Sequence, residues 1–188
     1  MQTTSHFIWI ELKAELFSDI FVKVFNYIKK NNILNSVLFQ NPLSMHITLY
    51  YLEKNIDLET KKEIKEYIKT FDIRNIIKLN WFNYFSNWEW NKSLLYFTTK
   101  TKLFLEDYRN KIHMKYNRNY IEDNNLNFFP HITFMKIEDS KIFEKHRENI
   151  ENIVNKEIKK VNGLDLNTRK IFIYAVNSRF KKEIQVKI

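Results

Sequence analysis

The sequence contains no cysteine, one glycine and two prolines, and the first two shortages each exclude a class of chemistry. Without cysteine there can be no disulfide bond, no thiolate zinc site and no cysteine nucleophile. The single glycine, Gly163, excludes a P-loop and a dinucleotide-binding turn, because both need several glycines where the backbone approaches phosphate. Any phosphate that this chain binds must therefore be held by side chains.

Long hydrophobic runs are also absent from the sequence. No stretch reaches the roughly 18 apolar residues that cross a membrane, and residues 1–10 lack the basic and apolar segments of a leader peptide. We therefore expect a soluble, cytoplasmic protein that does not bind membranes. The 188 residues, 44% of them hydrophobic, can form a sizeable core, and we expect one domain of two closely packed lobes over residues 1–188.

The net charge of the chain is +9, from 31 basic and 22 acidic residues. A basic surface attracts polyanions such as RNA and speeds their encounter with the protein. However, lysine, asparagine and isoleucine are all abundant, as a genome rich in A and T would also produce. The charge alone therefore leaves a nucleic-acid partner and a merely basic surface equally open.

Helical and strand patterns alternate along the chain. Apolar residues at a period of about 3.6 predict helices over 16–30, 57–71, 101–116 and 140–154, with Asp57 as the N-cap of the second helix. Strand patterns cover 6–12, 45–52, 76–85, 93–100, 128–137, 157–162, 170–177 and 183–188, and 118–127 is a polar loop. Because the alternation occurs in both halves, it predicts an internally duplicated α+β fold with a groove between two lobes.

Two His-x-Thr motifs, at 45–49 and 130–134, each lie in a predicted strand. Residues two apart in a strand point to the same face, so His46 should lie beside Thr48 and His131 beside Thr133. Histidine exchanges protons near neutral pH, so one imidazole can deprotonate a nucleophile while the other protonates a leaving group. The threonine hydroxyls can donate hydrogen bonds to phosphate oxygens. The pair of motifs therefore predicts phosphodiester chemistry that needs no metal.

A histidine on a half-buried strand more often has a structural role, so neither motif would be convincing alone. Two motifs with the same spacing and the same apolar neighbours favour catalysis. The other three histidines have no comparable context. We expect His146 to pack in the core, His113 to lie at the surface, and His6 to have no role that its position identifies.

The paired motifs resemble those of the 2H phosphoesterases, especially the bacterial RNA 2′,5′-ligase and cyclic phosphodiesterase branch. The resemblance extends over nearly the whole chain, through the segments FIWIEL, HITLYYL, FFPHITFMK and IFIYAVNSRF. It implies a bilobal fold in which two antiparallel sheets line a central cleft, with helices outside. It also implies hydrolysis of RNA 2′,3′-cyclic phosphates, or cleavage and joining of 2′,5′ linkages. Which histidine is the acid and which is the base stays open.

The resemblance also implies a phosphate contact five residues after the second histidine, where the family usually has an arginine. Here that residue is Lys136, which keeps the positive charge but lacks the two-pronged geometry of a guanidinium group. A glycine often follows the first motif in the family, and Glu53 stands in that place.

Four aromatic residues are candidates for stacking on a nucleobase. Phe129 and Tyr50 adjoin the motifs, and packing within the protein is the alternative for both. Trp88 and Trp90 lie in a predicted turn, where an exposed ring is more favourable for stacking.

Three functions agree with these patterns. The first is a phosphodiesterase acting on RNA 2′,3′-cyclic phosphate ends or 2′,5′-linked oligonucleotides. The second keeps the mechanism but hydrolyses cyclic oligonucleotide signals, as in defence or counter-defence. The third is a non-catalytic module that binds RNA or nucleotides in a salt-dependent way without turnover. In each case we expect a monomer, an RNA or nucleotide partner, and neither a cofactor nor a metal.

Overall fold

The computed structural model describes residues 4–12, 15–41, 45–52, 56–71, 76–77, 79–87, 92–99, 102–117, 128–160, 164–165, 171–177 and 184–187. The helices are α1 (Glu15–Lys30), α2 (Leu58–Lys69), α3 (Lys102–Tyr116), α4 (Ser140–Glu144) and α5 (Arg147–Ile158), with a 3₁₀ turn at Leu34–Ser36. The strands are β1 (Thr4–Glu11), β2 (Val37–Phe39), β3 (His46–Leu52), β4 (Ile76–Ile77), β5 (Leu79–Asn87), β6 (Lys92–Thr99), β7 (His131–Ile137), β8 (Leu164–Asp165), β9 (Ile171–Asn177) and β10 (Ile184–Lys187).

Two antiparallel four-stranded sheets form the centre of the fold. Their strand orders are β10-β9-β1-β3 and β2-β7-β6-β5, and β4 pairs separately with β8. The predicted α+β architecture with two antiparallel sheets is confirmed. The two His-x-Thr strands belong to different sheets, with β3 at the edge of the first sheet and β7 inside the second.

Helices cover the sheet faces that carry the apolar residues of the motifs. In the first sheet α3 packs against β3 and α2 against β9, while in the second sheet α5 packs against β5 and also against α1. Behind the first motif Ile47 and Leu49 are at most 2% exposed, and behind the second motif Ile132 and Phe134 are fully buried. The predicted division of each motif into an apolar face and a histidine face is therefore confirmed.

The predicted boundaries hold for most elements, with three exceptions. The strand predicted at 76–85 is divided into β4, which pairs with β8, and β5, which pairs with β6. The strand predicted at 157–162 is wrong over 157–160, because α5 continues to Ile158 and buries its last turn against the rest of the protein, while 161 and 162 lie outside the described residues. The helix predicted at 140–154 is divided into α4 and α5. Asp57 caps α2 as expected, since its carboxylate accepts a hydrogen bond of 2.7 Å from the amide of Thr60.

The short strand β2 carried no signal in the sequence. It has three residues and forms by pairing with β7, from Val37 opposite Ile137 to Phe39 opposite Met135. A strand of this length depends on its neighbour for its hydrogen bonds, so its own residues cannot define it.

Two histidines outside the motifs join helices to their neighbours. His146 is half-buried at the N-cap of α5, and its Nδ1 lies 3.0 Å from the hydroxyl of Tyr27 in α1. His113, which we expected at the surface, is half-buried on α3, and its Nδ1 lies 3.0 Å from the hydroxyl of Tyr50. His6 is buried in β1, with 2% of its surface exposed.

Glu157 ties α5 to α1 through one ion pair and makes a second within its own segment. Its carboxylate lies 2.7 Å from Lys23 of α1 and 2.9 Å from Lys160, and only 4% of its side chain is exposed. The hydrogen bond from Lys23, followed by that from Lys160, holds the pKa of Glu157 below its ordinary value of 4.5. The charged form of this carboxylate is therefore favoured by folding.

We expect Glu157→Gln to lower the stability of the protein at pH 7, with a deficit that shrinks on acidification. A carboxylate with a lowered folded-state pKa stabilises the protein fully above its unfolded pKa, and this contribution is lost as the pH falls through the folded value. Denaturant unfolding from pH 7 to pH 3 measures the difference, with Glu148→Gln on the exposed side of α5 as the control. A deficit that is constant with pH would contradict the ion-pair explanation.

Among the described residues, no helix combines the length and the apolar character that a membrane span requires.

Candidate active site

The two His-x-Thr strands contact each other although they belong to different sheets. His46 and Thr48 on β3 are half-buried, and so are His131 and Thr133 on β7, while the residue between each pair is fully buried. The fold thus brings together two strands that are distant in sequence, each with a histidine and a threonine on the face away from its buried side.

Both motif strands have a β-bulge at the same point. In β3 the pairing with β1 shifts so that Leu49, which follows Thr48, is the extra residue. In β7 the pairing with β6 shifts so that Phe134, which follows Thr133, is the extra residue. A bulge changes which face the following residues occupy. The two halves of the protein therefore share a structural detail that goes beyond the motif letters.

The bulge in β7 places Lys136 on the histidine face. In a regular strand a residue five after His131 would lie on the opposite face. Here Phe134 and Met135 are both fully buried, and Lys136 returns to the half-buried side with His131 and Thr133. The position of Lys136 is compatible with the phosphate contact expected from the sequence.

The matching bulge in β3 decides between the two interpretations of Tyr50 in favour of packing within the protein. Tyr50 is fully buried on the apolar side of β3, where its hydroxyl bonds His113, so its ring cannot stack on a base. The bulge instead places the next residue, Tyr51, on the histidine face, with 38% of its surface exposed. Since β3 and β7 have the same bulge, Tyr51 occupies in one strand the position that Lys136 occupies in the other.

Phe129 lies beside the second histidine. It is 53% exposed, and its ring centroid is 6.3 Å from that of His131 with an angle of 25° between the ring planes. The backbone carbonyl of Phe129 lies 2.9 Å from Nδ1 of His131. A carbonyl oxygen only accepts hydrogen bonds, so Nδ1 carries a hydrogen and Nε2 is the nitrogen that gains or loses a proton. The other two stacking candidates, Trp88 and Trp90, lie outside the described residues.

Trp9 contacts the first histidine and was not identified from the sequence. Its ring centroid is 3.6 Å from that of His46, with an angle of 77° between the planes, and only 1% of Trp9 is exposed. Trp9 stands opposite Thr48 in the pairing of β1 with β3, so it lies on the same face as the motif. The alternation of Phe7, Trp9 and Glu11 in the predicted first strand was the available signal.

The two motif strands thus carry two imidazoles with hydroxyls beside them and one cationic side chain. This set can supply acid and base catalysis and can hold a phosphate group through its oxygens. Among the described residues, no group of three or more His, Asp and Glu side chains is arranged to hold a metal ion.

Comparison by sequence gives no match to this chain, either among family models or among curated proteins. Solved structures do match over the whole chain. The structure of TT0787 from Thermus thermophilus has a TM-score of 0.63 at 13% identity, covering 100% of this chain and 95% of that one.

Two further solved structures, each with a bound nucleotide, are also similar over nearly the whole of both chains. E. coli LigT complexed with 3′-AMP has a TM-score of 0.56 at 14% identity and covers 100% of this chain and 96% of its own. Kluyveromyces marxianus Usb1 with uridine monophosphate has a TM-score of 0.50 at 14% identity, with 98% of each chain covered. The chain therefore shares the fold of these three solved structures.

Proposed function

We propose that this protein is a phosphodiesterase that hydrolyses RNA 2′,3′-cyclic phosphate ends or 2′,5′-linked oligonucleotides by two-histidine acid–base catalysis. The observation that carries the proposal is the contact between β3 and β7, each with the same His-x-Thr motif and the same bulge. A pure binding site does not need two imidazoles in equivalent places, whereas a displacement at phosphorus needs both a base and an acid.

Hydrolysis of a 2′,3′-cyclic phosphate requires two proton transfers. One imidazole takes a proton from water while the water oxygen forms a bond to phosphorus. The bond from phosphorus to one ribose oxygen breaks, and the imidazolium of the other histidine protonates that oxygen. Two histidines, His46 and His131, are sufficient for this step, and the reverse direction exchanges their roles.

Thr48, Thr133 and Lys136 are the proposed phosphate ligands. The threonines share a face with the histidines in their strands, and the bulge brings Lys136 to that same face. Their hydroxyls and the ammonium group would donate to the nonbridging oxygens, where negative charge accumulates in the transition state. A nucleotide ligand in the solved structures of LigT and Usb1 supports a substrate of this class.

Phe129 and Tyr51 are the proposed contacts for a nucleobase. Both are exposed aromatic residues, Phe129 beside His131 and Tyr51 on the histidine face of β3. Stacking on an aromatic ring stabilises a bound base by about 1–3 kcal/mol. Tyr51 replaces the buried Tyr50 in this role.

We expect Thr48→Val and Thr133→Val each to lower kcat by about 10²-fold, with little change in stability. Valine keeps the branched shape of threonine but removes the hydroxyl that donates to the phosphate, and one such donor typically contributes 10²–10³-fold. Steady-state kinetics with a 2′,3′-cyclic nucleotide measure the effect. Thr60→Val, on α2 and away from the motifs, is the control, and activity unchanged in both motif variants would exclude a phosphate contact.

The function is tested by a substrate panel with products identified by mass spectrometry. The panel contains 2′,3′-cyclic nucleotides, a 2′,5′-linked oligoadenylate, and cyclic dinucleotides and trinucleotides, each with and without EDTA. Turnover of the first two classes in EDTA, and none in the His46→Ala variant, would support the proposal. If only the cyclic oligonucleotides were hydrolysed, the same mechanism would act on cyclic oligonucleotide signals instead of RNA ends. Loss of activity in EDTA, or salt-dependent RNA binding without turnover, would contradict it.

A further inference from the structure

Glu11 is the cross-strand neighbour of His46. In the pairing of β1 with β3, Glu11 stands opposite His46, and the amide of Leu12 donates to the carbonyl of Met45 at 2.9 Å. Leu12 and Met45 therefore form a hydrogen-bonded pair. Because the two kinds of pair alternate along an antiparallel ladder, the adjacent pair of Glu11 and His46 is a non-hydrogen-bonded pair. In antiparallel sheets the side chains of such pairs are the closest, with β-carbons about 4.5–5.5 Å apart on the same face.

The second motif has no acidic residue in the corresponding place. The residue opposite His131 in the pairing of β6 with β7 is Thr98, which is neutral. Within the described side chains of β1, β2, β3 and β7, the other titratable or charged groups on the motif faces are Tyr51 and Lys136. Lys136 lies at the far end of its motif strand from His131. The two histidines therefore have different electrostatic surroundings, although their strands are otherwise equivalent.

We propose that Glu11 is a positioning residue that keeps His46 protonated, so that His46 is the general acid of hydrolysis and His131 is the general base. This inference rests on the proposed function. A carboxylate beside an imidazole favours the imidazolium form, which is the form that donates a proton. His131 has its Nδ1 hydrogen bound to the carbonyl of Phe129, and its neutral form can therefore accept a proton at Nε2.

The assignment gives a balanced step for a cyclic phosphate. Nε2 of His131 takes a proton from water, and the water oxygen bonds to phosphorus. The bond between phosphorus and one ribose oxygen breaks, and that oxygen takes a proton from His46. His131 ends charged and His46 neutral, and proton exchange with solvent restores both.

The Glu11→Gln variant tests the proposal through two measurements. In the first, NMR titration of the His46 ring should show its pKa lowered by about one unit relative to the wild type, with that of His131 unchanged. In the second, kcat/KM should fall by about tenfold at pH values above the pKa of His46, on the alkaline side of the profile, because the acid in the variant loses its proton at a lower pH. Glu11→Asp, which keeps the charge, should restore most of both.

Glu15→Gln, at the exposed start of α1, is the matched control and should change neither measurement. An unchanged His46 titration in Glu11→Gln would overturn the proposal, as would a shift confined to the acidic side of the rate profile. A uniform loss of activity at every pH, without a change in the His46 titration, would show that Glu11 is merely structural. If the wild type turns over no substrate, the proposed function and the acid assignment both fail, while the titration still decides whether Glu11 acts on His46.

Discussion

His46→Ala and His131→Ala should each lower the rate of phosphodiester hydrolysis by about 10²–10⁴-fold. Each variant removes one of the two proton transfers, and general acid or base catalysis by a positioned side chain contributes an effect of that size. The half-buried location of both histidines means that neither variant removes a large part of the core. Circular dichroism and thermal unfolding should therefore be close to those of the wild type.

His146→Ala is the matched control for these variants. This histidine is also half-buried and also has a ring-nitrogen contact, but its partner is Tyr27 in α1 and it lies on neither motif strand. It should retain activity. Full activity in either motif variant would exclude two-histidine catalysis. An equal loss in His146→Ala would instead indicate a general effect on folding.

Trp9→Ala should lower the free energy of unfolding by about 3–5 kcal/mol and also reduce kcat. The side chain is 1% exposed, and deleting a buried indole loses its transfer free energy and leaves a cavity. Phe7 lies 5.0 Å from Trp9 between ring centroids, and His46 lies 3.6 Å away, so both rings lose a packing partner. A His46 ring without this support samples orientations that do not face the substrate.

Trp9→Phe separates these two effects. Phenylalanine retains most of the apolar volume, so the stability deficit should be smaller than in Trp9→Ala. Denaturant unfolding measures stability, and kcat measured at a temperature where both variants are folded reports on His46. If Trp9→Ala has wild-type kcat under those conditions, Trp9 supports the core alone and does not orient His46.

The sequence predicted the architecture because its information is local and repeated. The alternation of His46 with Ile47 and of His131 with Ile132 identifies strands that are buried on one face, and period 3.6 identifies the helices that cover them. Both features follow from the regular geometry of the backbone. They therefore survive in the folded protein, as the burial of Ile47 and Ile132 shows.

The faces that Tyr50, Tyr51 and Lys136 occupy depend on two bulges that the residue pattern does not predict. A regular strand predicts the wrong face for Tyr50, for Tyr51 and for Lys136, because a single extra residue reverses the alternation beyond it. The bulges depend on the pairing of β3 with β1 and of β7 with β6. Since pairing joins distant segments, its register cannot be obtained from either strand alone.

The sequence alone identified the two imidazoles, the hydroxyls beside them and the strands that carry them. It could do so because residues two apart in a strand share a face whatever surrounds them. Only the tertiary structure decided that β3 and β7 meet, that Trp9 contacts His46 and that Glu11 stands opposite it. These relations join segments that are separated along the chain. They follow from the packing of two sheets and from hydrogen-bond register, which are properties of the whole fold.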